Sequence, residues 1–271
     1  MTTERILANQ LPASIIAERR GRVGWLVFND VGRHNAISLA MWQAVPVALA
    51  AFVEDPSIRA IVLTGAGDKA FVSGANIEQF EGDRTGAEAL ARYDESTGCA
   101  LDAIYACAKP TIARVRGHCI GGGVSIAVAC DVRIASAGSR FAIPAARLGL
   151  GYRLSAMRDL VTLIGPGNTL DIFLSARPID AARAGRIGLV QHVIDDAGLD
   201  DFVTEYLASV CGGAPLTLRT TKAMVRALRS LHPGVDEAAM KALVNACFES
   251  DDYREGKRAF AEKRPPVFAG R

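Results

Sequence analysis

Residues 117–130 read GHCIGGGVSIAVAC, and a glycine triplet in this stretch separates a short strand pattern from a helix pattern. TIARVRG, at 111–117, precedes it, and DVRIASA, at 131–137, follows it; both are typical of strands. An order of strand, helix and strand is characteristic of α/β folds. The stretch therefore predicts an α/β fold with a glycine-initiated helix.

The same order of elements occurs upstream. RVGWLVFND, starting at Arg22, is rich in valine, leucine and aromatic residues and predicts a strand. Ser38 stands where an N-cap hydroxyl is expected, ahead of the apolar run LAMWQAVPVALAAFVED. RAIVLTGAG then predicts a buried strand that ends in a glycine turn. We expect these units to be successive turns of one spiral and not separate domains.

Helical patterns dominate after about Leu154, where strand patterns fade. They are MRDLVTLIG, GNTLDIFLSA, DAARAGRIG, DFVTEYLASVC, TLRTTKAMVRAL and DEAAMKALVNACFES. A helical layer rich in alanine and leucine needs a surface to pack on, so part of it is expected to lie between subunits. We predict a core over residues 1–205 and a C-terminal helical oligomerisation region over residues 206–271.

Charge and composition exclude several classes of function. The chain has 31 basic and 29 acidic residues scattered along its length, without the basic patch that nucleic-acid binding requires. No stretch is apolar enough for a membrane helix, and the N-terminal residues lack the pattern of a signal peptide. Six cysteines at irregular spacings predict buried thiols in a reducing compartment and no metal site. We expect a cytoplasmic protein with no nucleic-acid or membrane partner.

A second glycine-bearing segment, FVSGANIEQF at 71–80, also follows a predicted strand. Glycine lets the backbone approach a ligand closely, and the first N–H groups of a helix have no intrahelical acceptor. Such groups suit a developing oxyanion. The glycine triplet alone is also typical of a tight packing turn. It matches neither GxGxxG nor GxxxxGK[ST], so the chemistry of nucleoside triphosphates is not expected.

Taken together, the motifs of this chain resemble the crotonase, or enoyl-CoA hydratase/isomerase, superfamily. The matching segments, in order, are NDVGRHNAIS, IVLTGAGDKAFVSGANI, VRGHCIGGGVSIAVACDVRIAS, FAIPAARLGLG, LSARPIDAARAGRIGLVQHVI and APLTLRTTK. The resemblance implies a ClpP/crotonase-like spiral of strand-strand-helix units with a C-terminal helical trimerisation region. It also implies a homotrimer or a dimer of trimers.

The resemblance further implies an acyl-CoA site. In this family, backbone N–H groups at the positions of Ala75 and Gly122 form the oxyanion hole for the thioester carbonyl. The residues that the resemblance assigns to coenzyme A binding are Arg33, Asn35, Ala36, Gly74, Asn76, Ile77, Lys263 and Phe268. Asn76 stands where family members usually carry aspartate. Coenzyme A is expected to enter as part of the substrate, with no separate cofactor and no metal.

Two positions depart from the family's hydratases, which carry a glutamate at each. This chain has Ser125 at the first and Ala145 at the second. A methyl group cannot move a proton, and a serine hydroxyl is a poor acid or base near neutral pH. The enolate-stabilising half of the site is therefore expected to remain, and the two-glutamate route to hydration is not.

Tyr152, in LGLGY, resembles the active-site tyrosine of the superfamily's methylmalonyl-CoA decarboxylases, although their histidine in the first segment corresponds here to Ala75. The segment from Glu81 to Thr97 is expected to be a loop over the acyl pocket. The nominal prediction is an enoyl-CoA hydratase. Enoyl-CoA isomerisation, acyl-CoA decarboxylation and acyl-CoA binding without catalysis remain alternatives.

Overall fold

The structure, a computed structural model, describes residues 3–76, 87–148, 152, 154–229, 242, 245, 246 and 249–271. Its strands are β1 (Thr3–Ile6), β2 (Ile15–Arg20), β3 (Val23–Phe28), β4 (Ala60–Gly65), β5 (Ala70–Val72), β6 (Thr111–Val115), β7 (His118–Ile120), β8 (Val132–Ser136), β9 (Arg140–Ala142), β10 (Ile179–Asp180) and β11 (His192–Ile194). Its helices are α1 (Leu39–Glu54), α2 (Ala87–Ala106), α3 (Gly122–Ala129), α4 (Ala145–Leu148), α5 (Leu154–Ser175), α6 (Ala181–Arg186), α7 (Leu199–Gly212), α8 (Pro215–Arg229) and α9 (Asp251–Ala261).

Consecutive strands alternate between two sheets. The larger sheet has the order β1-β2-β3-β4-β6-β8-β11, and the smaller has the order β10-β9-β7-β5. Each of β4, β6 and β8 lies in the larger sheet, and the strand that follows it in the chain lies in the smaller one. From β3 to β11 the strands of the larger sheet run parallel. The predicted α/β spiral of strand-strand-helix units is confirmed.

The centre of the larger sheet is covered on both faces, which explains why β3 and β4 are almost continuously apolar. All six residues of β4 are buried. Ile61 and Leu63 belong to the cluster that contains Trp42 of α1. Val62, between them, belongs to a second cluster that contains Leu199 of α7. The site described below lies on the side of the larger cluster.

The sequence patterns correctly predicted the main elements of the spiral. They are β3, β4, β6, β8, α1, α3, α6, α7 and α8. Ser38 caps α1, and its hydroxyl accepts a hydrogen bond of 3.2 Å from the Met41 N–H. The predicted helix DEAAMKALVNACFES lies largely outside the described residues. No helix in the described part of the chain is long and apolar enough to cross a membrane.

Two short strands lie beyond Leu154, in the part of the chain where the sequence patterns predicted mainly helices. β11 pairs in parallel with β8 and completes the larger sheet, while β10 pairs with β9 in the smaller one. These strands have two or three residues, as do β5 and β7, so they are too short to show a periodic pattern. The mostly exposed β1 and its partner β2 were also missed.

The segment predicted as a loop, Glu81–Thr97, is also partly corrected. Residues 87–97 form the first half of α2, and residues 81–86 lie outside the described part of the chain. α2 packs along α1 and against α3. Its charged residues Arg92 and Glu95 are exposed, so their positions are typical of a solvated helix face.

A half-buried carboxylate connects α8 to the core. Asp131, which follows α3, accepts hydrogen bonds from the N–H and the hydroxyl of Thr111 at 2.8 and 2.9 Å. It also forms ion pairs with Lys222 at 2.6 Å and Arg226 at 2.8 Å, both on α8. Burial lowers the pKa of Lys222, and Asp131 opposes that shift.

The predicted division of the chain into a core and a C-terminal helical region, between residues 205 and 206, falls within α7. It remains a prediction.

The cysteines are distributed between interior and surface. Cys107, Cys119 and Cys130 are buried, as predicted, and burial raises the pKa of Cys130 to about 12. Cys99 is exposed, so the prediction is wrong for this residue, and Cys211 is half-buried. The sixth cysteine, Cys247, lies outside the described residues.

Gly123 allows α3 to approach β5. A Cβ atom at this position would overlap the carbonyl oxygen of Val72 and lie 3.0 Å from its Cβ. We therefore expect Gly123→Ala to lower the free energy of unfolding by about 1–3 kcal/mol, because overpacking forces a backbone shift. Urea denaturation followed by circular dichroism measures this change.

Gly98, in α2, is the matched control, because a Cβ atom there would meet nothing within 4 Å. Gly98→Ala should raise the free energy of unfolding by about 0.5–1 kcal/mol, since alanine favours the helix. Equal stability of the Gly123→Ala variant and the wild type would contradict the close packing of α3 on β5.

Candidate active site

The first amide of α3 is free to bind a ligand. Gly121 precedes the helix with φ of +53°, a conformation that favours glycine, and its own N–H donates to the Ala142 carbonyl at 2.8 Å. The Gly122 N–H begins the helix and has no acceptor in the part of the chain that the structure describes. It is one of the orphan donors that every helix N-terminus carries.

The second free amide belongs to Ala75. Ile37 and Ala75 form an isolated parallel bridge: the Ile37 N–H donates to Gly74 O at 2.8 Å, and the Asn76 N–H donates to Ile37 O at 3.0 Å. This bridge uses the groups on either side of Ala75 and leaves the Ala75 N–H directed away from Ile37. Within the described residues, that N–H also has no acceptor.

The two free amides lie close together. Gly74 precedes Ala75 and Gly121 precedes Gly122, and a Cβ atom on Gly121 would lie 3.9 Å from the Gly74 Cα. Ala75 and Gly122 are both half-buried, so a ligand can reach them. Two adjacent backbone donors are the arrangement that stabilises negative charge on a carbonyl oxygen.

The Tyr152 hydroxyl reaches the same place. A Cβ atom on Gly121 would lie 3.9 Å from the Tyr152 Oη. The same atom would lie 3.9 Å from the Gly74 Cα. The ring is half-buried and packs edge-on against Phe173, with centroids 4.9 Å apart. Tyr152 is therefore a phenol held beside both amide-bearing segments.

Neither glutamate position supplies a carboxylate. Ser125 lies in the first turn of α3, is half-buried, and its hydroxyl has no hydrogen-bond partner among the described residues. Ala145, at the start of α4, is 5% exposed. No group of three or more His, Cys, Asp or Glu side chains in the described ranges could hold a metal ion.

The residues assigned to the nucleotide end have different roles. The side chain of Arg33 is 54% exposed and lies 3.8 Å from Asp30, so it can reach a phosphate. Asn35 is 1% exposed, and its side-chain amide donates to the carbonyls of Ala66 and Ala70. Its side chain is therefore structural. Ala36 donates its N–H to Arg33 O at 3.0 Å, in the same turn.

The remaining predicted contacts are spread over the chain. Gly74 and Asn76 flank Ala75, and Asn76 is 9% exposed. Ile77 lies outside the described residues. Lys263 is exposed after α9, while Phe268 is half-buried near Gly256, and its carbonyl accepts from Arg59 at 3.1 Å. The structure thus joins Gly74, Ala75, Gly122 and Tyr152, whereas Phe268 contacts α9 and Arg59.

Two contributors were missed by sequence reasoning. Ile37 bridges to Ala75, and the buried Trp42 packs against Gly122. Ile37 lies in the motif NDVGRHNAIS, so its place in that motif was a signal. Trp42 lies within an ordinary apolar helix pattern. Such a pattern predicts that the side chain is buried, but it does not predict which residue the side chain contacts.

Comparison with known proteins agrees with this architecture. A family model described as enoyl-CoA hydratase/isomerase matches residues 18–271. A Mycobacterium tuberculosis protein named probable enoyl-CoA hydratase is 33% identical over 261 residues, covering 95% of this chain and 98% of that protein. The peroxisomal Delta(3,5)-Delta(2,4)-dienoyl-CoA isomerase of Arabidopsis thaliana is 33% identical, covering 90% and 91%.

Solved structures give the same result. An enoyl-CoA hydratase/carnithine racemase from Magnetospirillum magneticum is 33% identical and superposes with a TM-score of 0.90 over 98% of each chain. The alternating two-sheet spiral thus defines a protein of the crotonase fold. The chain belongs to the enoyl-CoA hydratase/isomerase family, whose members act on acyl-CoA thioesters.

The buried side chain of Asn35 generates a stability prediction. Asn35→Ala should lower the free energy of unfolding by about 2–4 kcal/mol, because the carbonyls of Ala66 and Ala70 and the N–H of Asp30 each lose a partner. Thermal and chemical denaturation measure the change. Asn29→Ala is the control, since Asn29 makes one exposed hydrogen bond to Ala13 O. Equal effects of the two substitutions would contradict a structural role for Asn35.

Proposed function

We propose that this enzyme stabilises the enolate of its acyl-CoA substrate. The N–H groups of Ala75 and Gly122 donate to the thioester oxygen, and Tyr152 supplies a proton to the α-carbon. The proposal is supported by the two free amides on adjoining segments and by the phenol beside them. Coenzyme A enters as part of the substrate, with no further cofactor.

Decarboxylation of an acyl-CoA that carries an α-carboxylate is the reaction that this geometry supports best. The bond between the α-carbon and the carboxylate breaks, carbon dioxide leaves, and the electron pair passes into the enolate. Tyr152 then protonates the α-carbon and recovers its proton from water. The step needs no general base, in agreement with Ser125 and Ala145 at the two glutamate positions. The observation that carries the proposal is the position of the Tyr152 hydroxyl.

Hydration of an enoyl-CoA is the second candidate, because the relatives named above include an enoyl-CoA hydratase. It passes through the same enolate, formed when water adds to the β-carbon. Another group would have to activate that water, and the free hydroxyl of Ser125 is the nearest candidate on α3. Isomerisation of the double bond is the corresponding candidate from the Arabidopsis relative. A chain that binds acyl-CoA without converting it is the alternative outside catalysis.

The assembly proposed for this enzyme is a homotrimer or a dimer of trimers. Several large apolar side chains are exposed on the single chain, among them Leu170 and Leu174 on α5 and Leu228 on α8. Burial of such residues between subunits would remove apolar surface from water. Arg33 and Lys263, both exposed, are proposed to bind the phosphates of coenzyme A.

Turnover of a substrate panel tests the reaction class. The panel contains malonyl-CoA, methylmalonyl-CoA, crotonyl-CoA and a 3-enoyl-CoA, with products identified by mass spectrometry. We expect loss of carbon dioxide from one of the first two. Conversion of crotonyl-CoA or the 3-enoyl-CoA alone would instead establish hydration or isomerisation. Acyl-CoA binding with no conversion in the panel would contradict the catalytic proposal.

Substitution of Gly122 tests the oxyanion donor in the same assay. Gly122→Pro removes the N–H at the first helical position, which accepts proline, and should reduce kcat about 10²–10³-fold. Gly122→Ala is the matched control, because it keeps the N–H and adds a Cβ atom 3.1 Å from Trp42 Cζ2. Equal losses in the two variants would assign the effect to packing and contradict the donor role.

Substitution of Tyr152 tests the proton donor. Tyr152→Phe keeps the edge-on packing against Phe173 and should reduce kcat about 10²–10⁴-fold without changing acyl-CoA affinity. Tyr206→Phe, on α7 beside Phe202, is the control and should leave turnover unchanged. Full activity of Tyr152→Phe would exclude the phenol as the acid.

A further inference from the structure

The buried indole of Trp42 lies directly behind Gly122. A Cβ atom on Gly122 would lie 3.1 Å from Trp42 Cζ2 and 3.7 Å from Cη2. Trp42 is 1% exposed, so the ring is enclosed on its other sides by the core. Because interiors are close-packed, the position of this ring limits where the first turn of α3 can lie.

The segment that carries Trp42 also fixes the other amide. Ile37 holds Gly74 and Asn76 through the two bridge hydrogen bonds. Its Cγ2 lies 3.5 Å from the Cβ position of Gly122. The residue that precedes the N-cap of α1 therefore contacts both amide-bearing segments.

Tyr93 fixes the orientation of the indole. Trp42 Nε1 donates to Tyr93 Oη at 3.0 Å, and Tyr93 is 7% exposed. A buried indole N–H needs an acceptor, so rotation of the ring away from Tyr93 is unfavourable. Tyr93 belongs to α2, which packs on both α1 and α3. The hydrogen bond thus connects α1 and α2 behind Gly122, the first residue of α3.

We propose that Trp42 and Tyr93 are positioning residues that hold the Gly122 N–H at the distance from Ala75 that an oxyanion requires. Both residues are buried, with exposed fractions of 1% and 7%. The inference rests on the proposed function, since it takes the Gly122 N–H as the donor to the thioester oxygen. It adds a specific cause for the position of that donor. The cause is the hydrogen bond between the side chains of Trp42 and Tyr93, which are 51 residues apart in the chain.

The direct readout is the infrared stretching frequency of the thioester carbonyl in bound acetyl-CoA labelled with ¹³C at that carbon. Hydrogen bonds from the two amides should lower this frequency in the full-length wild type, and Gly122→Pro should abolish most of the shift. Tyr93→Phe removes the hydroxyl that accepts from the Trp42 N–H. It should reduce the shift and broaden the band, because Gly122 is less well positioned.

Kinetics provide a second readout. Tyr93→Phe should lower kcat about three- to tenfold and leave KM within about twofold of the wild type, because the effect falls on the transition state. Tyr105→Phe is the matched control on the same helix, since its hydroxyl makes a 3.5 Å contact with the Arg226 carbonyl away from Gly122. It should leave both the carbonyl frequency and kcat unchanged.

A double variant separates positioning from stability. Trp42→Phe combined with Tyr93→Phe removes both partners of this hydrogen bond, so the indole N–H is not left without an acceptor, and stability should exceed that of Tyr93→Phe alone. The carbonyl shift should nevertheless remain small, because the smaller ring no longer supports Gly122. Recovery of the shift together with stability would show a purely structural role and overturn the inference.

The infrared outcomes distinguish this inference from the proposed function. A wild type with no carbonyl shift, or with no bound acetyl-CoA, would contradict the oxyanion hole itself. A wild-type shift that Gly122→Pro abolishes and Tyr93→Phe leaves unchanged would overturn only the positioning role of Trp42 and Tyr93.

Discussion

A backbone N–H group without an acceptor costs free energy when it is buried, and this site holds two of them side by side. Several neighbouring groups are satisfied by the surrounding structure. The Ile37 N–H donates to the Gly74 carbonyl, the Ile37 carbonyl accepts from the Asn76 N–H, and the Gly121 N–H donates to the Ala142 carbonyl. Within the described residues, the N–H groups of Ala75 and Gly122 have no acceptor. The pairing of β5 with β7 holds the two segments that carry these groups beside each other.

The backbone donors and the side chains around them are separate parts of the site. Ser125 and Ala145 occupy positions where hydratases carry glutamates, and Tyr152 is the protic group beside the amides. Polarisation of a carbonyl and transfer of a proton are thus physically separate tasks in this fold. Loss of carboxylates removes one route to the enolate without disturbing the groups that bind it. Proteins of one family that polarise the carbonyl in the same way can therefore catalyse different reactions.

Local sequence patterns predicted the fold where elements are long or marked by glycine. The glycine-initiated α3 and the strands β3, β4, β6 and β8 follow from composition and capping. Strands of two or three residues, such as β10, have no usable period and depend on pairing with distant strands. The charged first half of α2 resembled a loop because its apolar face is narrow. The helix forms because that face packs on α1 and α3.

The site was predictable only in part for the same reason. Ala75 and Gly122 lie in recognisable motifs, whereas the approach of Tyr152 to Gly121 depends on the path of the chain between them. Asn35 also belongs to a motif, yet its side chain supports a turn and does not face a ligand. A motif thus identifies a position, and burial and hydrogen bonding determine whether its side chain or its backbone acts.

The alternation of strands between two sheets has a consequence for how such enzymes diversify. β5 and β7 pair directly, although the whole of α2 and β6 lies between them in the chain. The stretch of chain between the two amide-bearing segments can vary at its exposed positions, such as Arg92 and Glu95, while the β5–β7 pairing keeps the segments together. Tyr93 limits this variation, because its loss would leave the N–H of the Trp42 indole, which lies behind Gly122, without its acceptor.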